Sequence, residues 1–196
     1  MVTSRSFRST RRTGFTLIEL LIVVTMISII LGFAVWKIDI ARYQINGDQQ
    51  VVGSALIASQ RQAIAKQHNV IVVFDQANSV MRIISDDNNN GRSDAGEAVR
   101  SIALGDRVRY GLGYAPAMPW GSGAISFTGT DGASGLPAVT FYRNGSASES
   151  KGVYLCSTRA LVDAKYVSDV RAIHVERATG RAEWFHYDGS TWVRGF

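Results

Sequence analysis

One acidic residue in this chain sits where a charge is expensive. Glu19 interrupts an apolar run from Phe15 to Val35 that contains no other charged residue. As a helix such a run is long enough to cross the bilayer hydrocarbon, which takes roughly 20 residues. An ionised side chain at that depth costs about 2.5–3.5 kcal/mol even on the lenient insertion scale, so a carboxylate there calls for a cationic partner. The run supplies no cation of its own, and the chemistry implied is therefore pairing with a group from outside the helix.

Other residue types that do chemistry are present without the spacing that chemistry needs. His68, His174 and His186 are far apart in sequence and form no His-Glu-x-x-His or related metal motif. The single cysteine, Cys156, lies in the apolar run Val153-Tyr154-Leu155-Cys156 and reads as a buried structural thiol. There is no Gly-x-Ser-x-Gly elbow and no Gly-Lys-Ser/Thr phosphate loop. The sequence is read as non-enzymatic, and no cofactor is implied with one alternative. Asp86, Asn88, Asn90, Gly91, Asp94 and Glu97 match the twelve-residue calcium-loop template, with oxygens at positions 1, 3, 5, 9 and 12 and glycine at 6. The flanking segments read as strands rather than helices, and Arg92 puts a cation inside the loop. An Asn/Asp/Gly-rich hairpin turn produces the same letters for conformational reasons, so a calcium site and a structural turn are both open readings.

The elements that must position Glu19 follow from what flanks it. Arg5, Arg8, Arg11 and Arg12 form a basic, acid-free leader ending at Thr13-Gly14. The positive-inside rule keeps that end in the cytoplasm and sends the rest of the chain across the membrane. Removing these four from the 21 basic residues leaves a balance of about +1 in place of +5. The pI of 9.6 thus reports topology rather than nucleic-acid binding.

The segment Gly14-Phe15-Thr16-Leu17-Ile18-Glu19-Leu20 resembles the processing motif of type IV pilins and type II secretion pseudopilins. That resemblance implies cleavage by a prepilin peptidase between Gly14 and Phe15 and N-methylation of Phe15. It also implies that Glu19 pairs with the N-terminal amine of a neighbouring subunit during assembly. The competing reading is a secretory signal cleaved after Gly32-Phe33-Ala34. Against it stand an apolar run longer than the usual 7–15 residues and the acid within it.

Beyond the span, Trp36 to about Lys66 contains no proline, and Tyr43, Val51, Val52, Leu56, Ile57, Ala63 and Ile64 suggest one buried stripe of an amphipathic helix. Gly47 and Gly53 each weaken that helix by about 1 kcal/mol relative to alanine, and a bend near Asn46-Gly47 is expected. From Asn69 the pattern changes to short β-branched and aromatic runs between turn clusters. Strands are predicted at Val70–Phe74, Ser79–Ile84, Ala98–Leu104, Arg107–Tyr110, Ala124–Phe127, Ala138–Arg143, Gly152–Ser157, Arg171–Glu176 and Arg181–Tyr187. Gly111–Gly123 and Gly129–Pro137 read as exposed loops.

The predicted organisation is a leader (1–14), a transmembrane helix (15–35), a periplasmic helix extension (36–66) and one β-rich globular domain (67–196). The fold class is α+β, a long N-terminal helix followed by a mostly antiparallel, β-sandwich-like, pilin-like domain. This order resembles the GspH/FimT-type minor pseudopilins. The hairpin Asp86–Glu97, the strand and Gly-Arg turn of Val170–Arg181, and the lack of a second cysteine for a C-terminal disulfide loop add to the resemblance. It implies a minor pseudopilin of a type II secretion system, held in the bacterial inner membrane with its C-terminal domain in the periplasm. The implied partners are other pseudopilins or pilins through the helix, the prepilin peptidase, and secreted cargo.

The alternative implied by the same resemblance is a FimT-like minor type IV pilin in pilus assembly or DNA uptake, in which a Gly-Arg-x-Arg turn supplies cations to phosphates. Here the turn reads Gly180-Arg181-Ala182-Glu183, with an acid in place of the second arginine. Arg171, Arg177 and Arg181, beside Trp184 and Tyr187, are the residues that would form such a basic, aromatic surface. The competing reading of the same residues is a solvated strand face over core aromatics.

Overall fold

The computed structural model describes residues 14–34 and 39–195. The leader arginines, Val35 at the end of the expected span, and the start of the expected helix extension at Trp36 and Lys37 lie outside the described residues. The chain divides into two compact units, one ending at Asp39 and one beginning at Ile40.

The first unit consists of helix α1, Leu17–Ala34. Thr16 caps it: the Glu19 backbone N–H donates to Thr16 Oγ1 at 3.3 Å. Thr-x-x-Glu is the capping-box pattern, which puts an acid in the first turn, where the helix dipole favours negative charge. The helix is apolar on every side and its described side chains are exposed all round, from Ile22 at 48% to Leu17 at 85%. The two hydroxyls within it are satisfied by the helix's own carbonyls, Thr25 Oγ1 to Ile22 O and Ser28 Oγ to Val24 O, both 2.8 Å. Its 18 residues make about 27 Å at 1.5 Å per residue. Among the described residues no helix is long and apolar enough to cross a membrane; the expected span runs on to Val35.

The second unit begins with helix α2, Ile40–Lys66. It runs without interruption through Gly47 and Gly53, so the expected bend at Asn46-Gly47 does not occur. Gly53 has a packing reason: a Cβ there would come within 2.0 Å of Trp184 Nε1. The buried stripe is Ala41, Ile45, Gln49, Val52, Leu56, Ser59 and Ala63, stepping by three and four residues as one helix face must. Tyr43, Val51 and Ile64, expected in that stripe, are exposed. Gln49 takes a buried place because its Nε2 donates to the carbonyls of Phe185 (2.9 Å) and Ala172 (3.3 Å).

Among the described residues nine strands follow: β1 Asn69–Asp75, β2 Val80–Asp86, β3 Val99–Ala103, β4 Val108–Tyr110, β5 Ala138–Phe141, β6 Lys151–Ser157, β7 Val170–Val175, β8 Ala182–Tyr187 and β9 Trp192–Arg194. They form two antiparallel sheets, β3-β2-β1-β5 and β4-β6-β7-β8-β9. The α+β order expected from the sequence, an N-terminal helix followed by antiparallel sheets, is the order found. The α2 stripe and both sheets share one apolar core, with Val52 and Leu56 from α2, Val72 and Phe74 from the first sheet, and Leu155 and Ile173 from the second. Phe74 joins the sheets, stacked on Phe127 at 5.4 Å and edge-on to Tyr110 at 6.0 Å.

Two differences from the sequence reading stand out. Ala124–Phe127 forms no strand, only the bridge Ile125 to Val153, because Phe127 turns inward to stack on Phe74. A ninth strand exists because the Asp188 carboxylate accepts from the Ser190 and Thr191 N–H groups, both at 2.7 Å, and closes a turn that returns Trp192–Arg194 along β8.

The segment Gly129–Pro137, expected as an exposed loop, is anchored through Asp131, which is 1% exposed. Its carboxylate accepts from Ser93 N–H and Oγ (3.0 Å each) and from Ser134 N–H (3.0 Å) and Oγ (2.6 Å). Burial alone would raise this carboxyl, but the converging donors of Ser134, Ser93 and Ala133 outweigh it and hold the group at about 2. A depressed carboxylate contributes stability that is present above its unfolded value near 3.9 and lost as pH falls through its folded value. About 2 kcal/mol should disappear between about pH 4 and about pH 2. Asp131→Asn is expected to lose most of that amount at neutral pH and to converge with the wild type near pH 2, as read by urea midpoints at the two pH values.

Candidate assembly site

Gly14 and Phe15 precede α1 outside any helix, both exposed, Phe15 at 81%. The bond between them is thus open to a processing enzyme. Glu19 lies one helical turn beyond Phe15, exposed, and among the described residues it has no cationic partner. The arrangement offers a single carboxylate on an all-round apolar surface, held by a capped first turn at fixed distance from the end that cleavage at Gly14 would create. A carboxylate so placed has the chemistry to accept one cationic group.

The Asp86–Glu97 segment is a network of turns. Asp86 is fully buried and accepts the backbone N–H groups of Asn90 (3.0 Å) and Gly91 (2.9 Å). Asn88 and Asn90 turn their amide N–H groups to Asp94 Oδ2 (2.9 and 2.5 Å), and these two donors hold the Asp94 carboxyl below its usual range. Glu97 Oε2 accepts Asp94 N–H at 3.0 Å. The five side chains named for calcium are tied to one another and to the backbone. Among the described residues no group of three or more His, Cys, Asp or Glu is placed to hold a metal ion. In this arrangement two of the five, Asn88 and Asn90, direct amide donors at a third, Asp94.

The three arginines named for DNA are not brought together. Arg171 is buried, donating Nε to Asn46 Oδ1 on α2 and Nη1 to the carbonyls of Ser168 and Val170, each at 2.9 Å. Burial lowers its pKa, with Asp169 opposing. It clamps β7 to α2 and cannot face a phosphate, which corrects its place in the basic surface. Arg177 and Arg181 are exposed beside the Gly180 turn. Trp184 packs against the core over Gly53, and Tyr187 is buried in a second cluster with Ala115, Cys156, Ala160 and Val170. Glu183 is ion-paired with Arg194.

The histidines are likewise separate. In the register of β7 and β8, His174 faces Glu183 while His186 faces Arg171. An offset of three residues puts the two rings on opposite faces of the sheet. His174 stacks on Trp120 at 4.7 Å, and burial lowers its pKa against Glu176 and Glu183. His68 lies 3.3 Å from Asp87. Cys156 is buried and free, its thiol pushed up to about 12 by burial.

One feature that sequence reasoning passed over is a buried ionic hub. Asp169, fully buried, accepts from Arg159 Nε at 2.6 Å, Ser157 Oγ at 3.0 Å and Arg42 Nε at 3.3 Å. It joins the first turn of α2 to the end of β6 and to the start of β7. An isolated acid at the head of a β-branched run offered no signal in sequence.

Residues 9–35 match the prokaryotic N-terminal methylation motif. No curated protein matches the chain in sequence. Among solved structures, the minor pseudopilin EpsH from the type 2 secretion system of Vibrio cholerae is similar at 10% identity, over 73% of this chain and 97% of that chain, with a TM-score of 0.49.

Proposed function

We propose that this chain is a minor pseudopilin-type subunit that is cleaved after Gly14, N-methylated on Phe15, and built into a periplasmic fibre through α1. The observation that carries the reading is a helix apolar on every side, exposed over its whole described length, bearing one carboxylate and lying within the methylation motif. A helix of that kind is stable only in lipid or among other apolar helices. Burying one of its large side chains contributes about 1.5–3 kcal/mol, and the sum drives it out of water.

On this reading the helix anchors the chain in the inner membrane, leader end cytoplasmic and folded unit periplasmic. Leader removal frees the Phe15 amine, and Glu19 pairs with the corresponding amine of a neighbour. Two charges that are each costly in hydrocarbon then relieve one another only when the subunits are in register. The folded unit presents its surface to other pseudopilins or to cargo. The type II secretion assignment rests on the resemblance of the motif and later segments; the alternative is a minor type IV pilin. The burial of Arg171, Trp184 against the core and the Glu183–Arg194 pair weigh against the DNA-uptake form of that alternative.

Intact mass measurement of the chain extracted from inner membranes tests processing. The mass is expected to fit a singly methylated chain starting at Phe15. A chain starting at Val35 would instead mean secretory cleavage and would overturn the proposal.

A further inference from the structure

Asn69, Asn89, Tyr142, Arg143 and Asn144 line a cleft of about 600 Å³ at one end of the first sheet. The sheet register brings them together. Asn69 opens β1 opposite Asp86 at the end of β2, and its neighbour Val70 stands opposite Phe141 at the end of β5. The turns that follow β2 and β5 therefore flank the start of β1. The turn after β5 is tight: Gly145 N–H donates to Tyr142 O at 2.8 Å and Tyr142 N–H to Ser146 O at 2.9 Å. The Gly145 carbonyl in turn accepts Gln60 Nε2 of α2 at 2.8 Å. These bonds hold Tyr142, Arg143 and Asn144 on a tip braced by the helix.

What the cleft offers a ligand follows from which end of each amide is already engaged. Asn89 Oδ1 accepts the Asn69 backbone N–H at 2.7 Å. Asn144 Oδ1 accepts Ser146 N–H at 3.1 Å and Ser146 Oγ at 2.8 Å. Both oxygens are turned into the protein, which leaves both Nδ2 groups as donors. Among the described residues neither Nδ2 group, nor the Arg143 guanidinium, nor the Tyr142 hydroxyl has a protein partner. No acid lines the cleft. Of the acids just before Asn89, Asp86 is fully buried and accepts the Asn90 and Gly91 N–H groups, and Asp87 lies 3.3 Å from His68. The lining is thus rich in donors, carries one fixed positive charge, and calls for an anionic ligand rich in acceptors.

We propose that this cleft binds an acidic sugar, with its carboxylate on Arg143 and its ring against Tyr142. A planar guanidinium grips a carboxylate through two parallel N–H donors. The amides of Asn69, Asn89 and Asn144 suit neighbouring hydroxyls, and the Tyr142 ring, 39% exposed, gives an apolar face to the C–H side of a pyranose. The volume suits a small molecule rather than a bare anion, since such sites run from about 300 to about 1,000 Å³. A nucleic-acid strand fits less well, because its phosphates need several cations along one track and this lining holds one. Arg177 and Arg181 belong to the adjoining Gly180 turn, which packs on the Gly145 carbonyl, and they do not line the cleft. Nothing in this site depends on α1 or on fibre assembly.

Saturation-transfer NMR titrations of the full chain in lauryldimethylamine oxide, a detergent without sugar headgroups, test this. The probes are D-glucuronate, D-galacturonate, D-glucose and acetate, with inorganic phosphate and a thymidine oligonucleotide as competitors. At least one uronate is expected to bind about tenfold more tightly than glucose or acetate, because each of those supplies only part of what the site recognises. Arg143→Gln should weaken the uronate about tenfold and leave glucose unchanged, while Tyr142→Ala should weaken both. Both side chains are exposed, and an unchanged near-ultraviolet circular dichroism spectrum shows that each variant is folded. Acetate binding as tightly as the uronate, or phosphate displacing it at equal concentration, would mean a bare anion site and overturn the proposal. Failure of both uronates to bind, or uronate binding indifferent to Arg143→Gln, would overturn it as well. Displacement of the uronate by the oligonucleotide at lower concentration than by free uronate would mean a nucleic-acid site, and that too would overturn it.

Discussion

Asp169→Ala is expected to destabilise the folded unit by about 3 kcal/mol, at the lower end of what breaking a buried ion pair costs. The carboxylate is inaccessible to water and receives three donors from two distant segments. Its removal leaves Ser157, itself fully buried, without an acceptor and leaves Arg159 and Arg42 without their shared counter-charge. The side chains of Arg42 and Arg159 retain 51% and 30% exposure, so water recovers part of the loss and the upper end of the range is not reached. For a domain of this size the melting temperature should fall by roughly 10 °C. Asp169→Asn, which keeps the shape and part of the hydrogen bonding, should cost less than half as much. Thermal unfolding followed by tryptophan fluorescence in detergent measures both. Equal stability of Asp169→Ala and wild type would mean that the start of α2 is not held to the sheet through this hub.

On the proposed function the effect also bears on assembly. Arg42 is the residue through which the first turn of α2 is tied to the 3-10 helix before β7. A loosened hub would let that turn move independently of the sheets and blur the orientation of the surface that the folded unit presents.

How far the sequence foretold this molecule depends on whether a residue's role is local. The apolar run and its acid were legible at once, because the cost of a charge among apolar residues needs no knowledge of tertiary structure. Eight of the nine strands were legible within a residue or two, since β-branched runs such as Val70–Phe74 carry their own preference for extended backbone and are bounded by turn residues. The α2 stripe was only half legible. Val52, Leu56 and Ala63 are buried as read, but Gln49 and Ser59 complete the face. Gln49 does so by donating to carbonyls more than 120 positions away, and polar burial of that kind leaves no periodic trace.

Gly53 read as a weakness in the helix and is instead the space for the Trp184 indole. Arg171 read as a surface cation because nothing in its neighbourhood predicts Asn46 and two carbonyls converging on it. The Asp86–Glu97 letters fit an ion loop and a turn equally well. In the folded chain Asn88 and Asn90 point their amides at Asp94, and amide direction is not written in sequence.

Replacing Glu19 by alanine should have the largest functional effect. Without the carboxylate α1 becomes uniformly apolar, which favours membrane insertion by about the 2.5–3.5 kcal/mol that a buried charge costs. Processing at Gly14 and anchoring are therefore expected to persist in Glu19→Ala. On the proposed function, what is lost is the one charged group on α1, by which a neighbour in register would be distinguished from one displaced along the helix. The measurement is the fraction of mature chain recovered in sheared fibres against inner membranes, for wild type and Glu19→Ala at matched expression. The account predicts a variant that is cleaved, methylated and membrane-bound but at least tenfold depleted from fibres. Undiminished incorporation of Glu19→Ala would contradict it.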